Sequence, residues 1–204
     1  MRLTKEQRIL VKRFANGEII DHYMHINGDL QFETNEQGIV LIRNGKSYLD
    51  QFQKGKVTYV KSYKNDDVVF SADGQGYVLI RNNESYLDKF QKGKVTYCFP
   101  FENGDIKFET DKQGYVLIRD GKSYLDPFQN GKVICCWSYR NGDIKFETKK
   151  QGIILIRNNK SYLDFFQKGK VLSCYVYDNS DIMFETKEQG ILYIVNGELK
   201  NEIA

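Results

Sequence analysis

A phenylalanine recurs every 38 residues, at Phe32, Phe70, Phe108, Phe146 and Phe184, and a glycine keeps the same interval at Gly38, Gly76, Gly114, Gly152 and Gly190. No insertion or deletion separates the copies, so the unit behaves as a rigid structural module whose neighbours bury one another's faces. The repeats run 8–45, 46–83, 84–121, 122–159 and 160–197, with a tail at 198–204, and the reading is of one repeat domain over 1–204.

Within a unit, four short runs are separated by turn signals. Run A, 113–119 (QGYVLIR), is almost continuously apolar and ends at Asp120-Gly121, a pair suited to a tight hairpin. Run B, 122–128 (KSYLDPF), leads to Gln129-Asn130-Gly131. Run C, 133–139 (VICCWSY), closes at Asn141-Gly142, and run D, 143–148 (DIKFET), alternates apolar and polar residues as a strand should. The chain has 14 Tyr and 13 Phe but only two Pro, a composition that favours pleated, half-buried surfaces.

Four short antiparallel strands per repeat predict an all-β five-bladed β-propeller. Phase supplies a closure: 8–14 (RILVKRF) aligns with run B, and the tail has Lys200 and Asn201 where other copies carry Tyr and Leu. The expectation is that the amino-terminal segment forms a strand that pairs with the last A run, 191–195, completes the last blade and removes its edges. Both prolines, Pro100 on run C and Pro127 on run B, then fall on edge strands. The alternative is an open β-meander or solenoid. In copy number and inferred architecture the chain resembles the tachylectin-like sugar-binding propellers, which implies a multivalent lectin. Gln-Gly-Tyr and Phe-Gln-Lys-Gly-Lys-Val resemble bacterial WG-type β repeats, although the tryptophan of those repeats is missing.

Runs A and D hardly change between copies, whereas run C drifts. Tyr23, Lys61, Phe99, Trp137 and Tyr175 form one variable column; two residues on stand His25, Tyr63, Phe101, Tyr139 and Tyr177, followed by a mixed column that includes Arg140. Alternation puts the first two columns on one side of the strand. Aromatic residues edged by mixed charge have the composition of a protein-interface core and rim. The competing reading is aromatic filling between blades with solvated charges at the turns.

A basic face gathers Lys54, Lys56, Lys92, Lys94, Lys132, Lys168 and Lys170 at the B-to-C turns, where a nucleic acid or acidic partner would be attracted. Solvated lysine-rich hairpins are the simpler explanation. Arg43, Arg81, Arg119 and Arg157 end the A runs, and Asp50, Asp88, Asp126 and Asp164 recur in the B runs. Such repeated opposite charges predict a structural network between strands, with a sugar site in each blade as the rival.

His22 aligns with Cys98, Cys136 and Cys174, which reads as a packed column rather than a disulfide framework or a zinc site. No nucleophile motif, phosphate loop or metal-binding helix is present, so the expectation is a non-enzyme without cofactor or metal. The net charge of +3 is too small to point to a partner by itself, and the absence of a long apolar run predicts a cytoplasmic protein with no membrane contact, expected to be a monomer. Its expected role is that of a protein-binding module acting by occupancy, for example as an inhibitor of a nucleic-acid-targeting defence enzyme, with a carbohydrate-binding lectin as the alternative class.

Overall fold

The computed structural model describes residues 3–200. Apart from one helix, α1 (Lys5–Phe14), and two short 3-10 turns, its regular structure is β. The chain divides into two compact units, Met1–Asp111 and Lys112–Ala204.

In the first unit the strands are β1 (Ile19–Met24), β2 (Leu30–Thr34), β3 (Gly38–Arg43), β4 (Lys46–Ser47), β5 (Val57–Ser62), β6 (Val68–Ala72), β7 (Gly76–Arg81), β8 (Glu84–Ser85), β9 (Val95–Pro100) and β10 (Ile106–Thr110). Runs C, D and A of a repeat form an antiparallel three-stranded leaf: β1, β2 and β3 in the first repeat, β5, β6 and β7 in the second. Consecutive leaves join through a single parallel pairing, Gly38 with Val57. The second unit repeats the plan with β11 (Gly114–Arg119), β12 (Lys122–Ser123), β13 (Val133–Ser138), β14 (Ile144–Thr148), β15 (Gly152–Arg157), β16 (Lys160–Ser161), β17 (Val171–Val176), β18 (Ile182–Thr186), β19 (Gly190–Val195) and β20 (Glu198–Lys200). Its parallel joints are Gly114 with Val133 and Gly152 with Val171.

The joint explains the glycine column. Gly152 has φ +79°, and a Cβ there would lie 2.5 Å from the carbonyl oxygen of Val171, so only a residue without a side chain lets the next strand come this close. Gly190 keeps a positive φ of +71° but meets nothing within 4 Å.

Each leaf has two faces, which we call near (toward the amino-terminal neighbour) and far. The near face of the second leaf, with Val60, Val68, Phe70, Val78 and Ile80, packs against Ile39 and Leu41 on the far face of the first and against Leu49 and Phe52 from the intervening B run. The fifth leaf packs in the same way on Leu155 and Ile153 of the fourth. Burial on both faces is why the A strands read as continuous apolar runs rather than alternating ones. The C strands lose clean alternation for another reason. A bulge inserts an extra residue between Val57 and Tyr59, and again between Val133 and Cys135 and between Val171 and Ser173, which leaves Ile134 and Leu172 exposed.

Three expectations are corrected. Run B is not a full strand in the copies: Lys122–Ser123 is a two-residue stub on β11, and in other copies Tyr86–Lys89 and Leu163–Phe165 form 3-10 turns. Pro127 accordingly lies beyond β12 and not within a strand. The amino-terminal segment is the helix α1 and does not complete the last blade. Its capping box, in which Thr4 accepts from the Gln7 backbone and Gln7 from the Thr4 backbone, starts a helix that covers the near face of the first leaf. The strand that pairs with β19 is β20, through Tyr193 with Lys200 and Ile194 with Leu199. The sheets of the described residues do not close on themselves; residues 201–204 of the tail lie outside the description.

The repeated arginines also choose another partner. Arg43 grips Asp29 through Nε at 2.9 Å and Nη2 at 2.5 Å, Arg81 holds Asp67, and Arg157 holds Asp143. These aspartates open the D strands and are almost fully buried. The same arginines reach over the joint: Arg43 donates to the Asp66 carbonyl and Arg157 to that of Ser180, while Asp29 accepts from Ser62 of the next repeat. The exposed B-run aspartates instead accept from nearby side chains, Asp50 from Ser47 and Asp164 from Gln167.

Candidate interaction surface

The variable C-strand columns stand on the far faces of the leaves and reach solvent. Tyr23 and His25 meet edge-on with ring centroids 5.0 Å apart, and Nε2 of His25 lies 2.9 Å from Oε1 of Gln31. Tyr23 itself is 58% exposed. In the same unit the Lys61 ammonium lies 4.8 Å from the Tyr63 ring and 6.0 Å from that of Phe99, which in turn meets Phe101 edge-on at 5.0 Å. This is the two-residue periodicity of a strand expressed as paired side chains.

Sequence reasoning missed two members of this surface. Tyr59 and Tyr97 stand two residues before Lys61 and Phe99 and are exposed, and Tyr59 packs against Tyr77 at 5.9 Å. They keep simple alternation with Lys61 and Phe99, the bulges falling one residue earlier on each strand. Partial burial raises the hydroxyl pKa of both, helped next by Tyr77 beside Tyr59 and by Cys98 beside Tyr97. Tyr63 is raised further, chiefly by burial and then by Tyr59, Cys98 and Tyr97. These hydroxyls are neutral hydrogen-bonding groups across the physiological range.

The second unit presents its own version. Trp137 of β13 pairs in register with Lys145 of β14, whose ammonium sits 4.4 Å above the indole and 5.8 Å from the Tyr139 ring. Lys145 also donates to the Cys174 carbonyl at 3.0 Å, which fixes it. Tyr139 is half-buried against the fifth leaf, Trp137 is 43% exposed, and Arg140 is exposed at the turn. On the fifth leaf Tyr175 and Tyr177 meet edge-on at 4.8 Å, and both are exposed. On the fourth leaf the aromatic column thus combines with a D-strand lysine, joining exposed rings to a held cation.

All seven lysines of the predicted basic face are exposed, but they are not alike. Lys56 and Lys170 give their ammonium groups to the carbonyls of Asn35 and Lys149, both at 2.9 Å. Their stems, and those of Lys94 and Lys132, run beside Gly38, Gly152, Gly76 and Gly114. Those four belong to the joints between leaves. The backbone nitrogens of Lys54 and Lys168 are held by Gln75 and Gln189, and Lys92 completes the set.

Cys98, Cys136 and Cys174 are buried, Cys135 is half-buried, and all four are free thiols. Burial raises Cys98 to about 12 and Cys174 to about 11, while Cys135 is raised to about 11 by burial and by its contact with Glu147. Among the described residues no group of His, Cys, Asp or Glu converges as a metal site, and no helix is long and apolar enough to cross a membrane. A cavity of about 450 Å³ in the second unit is lined by Pro127, Phe128, Ser161, Asp164, Gln167 and Lys170, among others.

No family model matches the chain, and no curated protein matches it. Among solved structures, it is similar to the extracellular domain of a putative one-component system from B. thetaiotaomicron, at 12% identity and a TM-score of 0.38, covering 91% of this chain and 29% of that one. The WD40 β-propeller domain of Doa1 aligns at 13% identity and a TM-score of 0.36, covering 85% and 61%. Virginiamycin B lyase from Staphylococcus aureus aligns at 12% identity and a TM-score of 0.35, covering 90% and 69%. The chain spans under a third of the length of the first of these.

Proposed function

We propose that this protein is a non-catalytic protein-binding module that acts by occupancy, with the C-strand aromatic columns as its contact surface. One observation carries the reading: Trp137 stands 43% exposed with the Lys145 ammonium held 4.4 Å above its ring. An exposed indole on a rigid strand, backed by a fixed cation and flanked by Tyr139 and Arg140, supplies the residue types that dominate interface energy at little ordering cost. A partner with acidic groups beside apolar side chains matches this chemistry. Occupancy of that kind suits an inhibitor of a larger complex.

The test is affinity capture from a native lysate followed by titration of the captured protein. Trp137→Ala, Tyr139→Ala and Arg140→Ala are each expected to weaken binding by more than about 1 kcal/mol. Lys92→Ala and Lys94→Ala are expected to change salt dependence and association rate instead. Large losses from the lysine variants with unchanged affinity in the other three would move the site to the basic face.

A second reading, glycan binding, is favoured by the cavity whose lining brings the hydroxyl-binding groups Ser161, Asp164 and Gln167 together with Pro127 and Phe128. Saturation-transfer NMR with a monosaccharide panel, and its loss in Asp164→Ala, would support that reading.

A further inference from the structure

Every leaf has two apolar faces, and within each unit the chain shows how they are satisfied. A far face built on the A strand, such as Ile39 and Leu41, takes the near face of another leaf, with its central phenylalanine and surrounding valines and isoleucines. Two faces depart from this pattern. The near face of the first leaf, Leu30, Phe32, Val40 and Ile42, is covered by α1 through Leu3, Leu10, Val11 and Phe14. Among the described residues the far face of the fifth leaf has no such cover: Ile191 is 53% exposed where Ile39 is 9% exposed. Tyr193 is half-buried at the position of Leu41, Leu79, Leu117 and Leu155, all of which are fully buried. Tyr175 and Met183 extend the patch across the leaf, since both share a face with Tyr193 through the register.

We propose that the far face of the fifth leaf is a docking surface for the first leaf of a second copy of this chain, and that α1 is the removable plug that holds this association off. The occupant is identified by the chain's own joints. This is the surface type that takes a leaf's near face within each unit, and the first leaf carries an equivalent apolar near face in Leu30, Phe32, Val40 and Ile42, with His22 where the second and fifth leaves have Val60 and Cys174. The helix that substitutes for a neighbouring leaf is ten residues long, fully buries only Val11, and is charged on its outward side at Lys5, Glu6, Arg8, Lys12 and Arg13. It therefore covers the face with less apolar contact than a leaf does. A contact between two different surfaces of identical chains is head-to-tail, so it extends to further copies unless its rotation closes.

The test uses the full chain with α1 unseated by the double substitution Leu10→Asp and Val11→Asp. Light scattering behind size exclusion, over a concentration series, is expected to give one chain for the parent and two or more for the variant. Adding Ile191→Lys to the variant is expected to restore one chain. A variant that stays at one chain at every concentration overturns the proposal, and so does association that Ile191→Lys leaves unchanged, because the contact would then not use the fifth leaf. Circular dichroism checks that the strands persist. If they do not, the milder Phe14→Ala variant carries the same comparison with the same criteria.

Discussion

Val11 of α1 occupies against the first leaf the place that Leu49 occupies against the second. Both are 1% exposed, and the half-buried residues around them correspond as well, Leu10 with Tyr48 and Phe14 with Phe52. The helix is thus a B run of the repeat in another backbone conformation. Truncating either buried residue removes the same plug from a leaf. Val11→Ala is expected to cost about 2 kcal/mol and Leu49→Ala about 3 kcal/mol, as read from urea unfolding midpoints at constant m. A cost near zero at Val11 would mean that the helix merely rests on the leaf.

The alignment that revealed this equivalence was legible in the sequence, and the conformation was also written there. Leu10, Val11 and Phe14 have helical spacing, as do Tyr48, Leu49 and Phe52, and Thr4 with Gln7 forms a capping box just before the run. Reading the segment as a strand gave weight to its position in the repeat over its own period. The repeat, its four segments, the D strands and the aromatic columns were all recoverable. The bulges were not, because an extra residue in a ladder leaves no mark in so short a run, whereas Tyr59 and Tyr97 stand in plain alternation with Lys61 and Phe99 and were legible.

The partner of the repeated arginine was recoverable by arithmetic. Leu30 pairs with Ile42 in the hairpin, so Asp29 stands opposite Arg43, whereas Asp50 lies past another turn. Asp143→Asn leaves Arg157 with a weakened, uncharged partner in a largely buried setting and is expected to cost about 3 kcal/mol. Asp164→Asn, at an exposed turn, is expected to stay within about 0.5 kcal/mol. Thermal denaturation of the two variants side by side makes the comparison, and equal effects would refute the assignment.

Acid should expose the same contact. Burial alone would raise the Asp29 carboxyl, but hydrogen bonds from Arg43, Ser62 and Asn27 outweigh it and hold the group below its ordinary value of 3.8. A carboxylate lowered in the folded state contributes stability that is present above its unfolded pKa and is lost as pH falls through the folded one. Unfolding midpoints are therefore expected to hold steady from neutral pH down to about the ordinary Asp value and to fall below it. The gap between the parent and Asp29→Asn should narrow over the same acid window; a gap independent of pH would count against this account.

Two glycines of one column should respond differently. Gly190→Ala must adopt φ +71° with open space around its Cβ, a left-handed cost of about 1–2 kcal/mol. Gly152→Ala carries the same cost and also drives its Cβ into the Val171 carbonyl, so its penalty should exceed that of Gly190→Ala. Equal penalties would show that the joint yields without loss.

The thiols supply a last check. At neutral pH the raised pKa of Cys98 and Cys174 leaves almost no thiolate, so alkylation by iodoacetamide should be slow and should begin at half-buried Cys135. Peptide mass mapping over time would show the order, and early labelling of Cys98 would contradict the burial described.

Each joint is made by a glycine, a valine carbonyl and an arginine whose places recur at one interval, and the bonds that cross it link one copy only to the next. A gene that gains or loses 38 codons in frame therefore moves complete sets of partners together, and every new junction finds its glycine, its carbonyl and its arginine already in place. A gain of 37 or 39 would strand one partner at each new boundary. The lineage of such a chain can thus lengthen or shorten by recombination between copies, while a slip of a single codon is selected against at once.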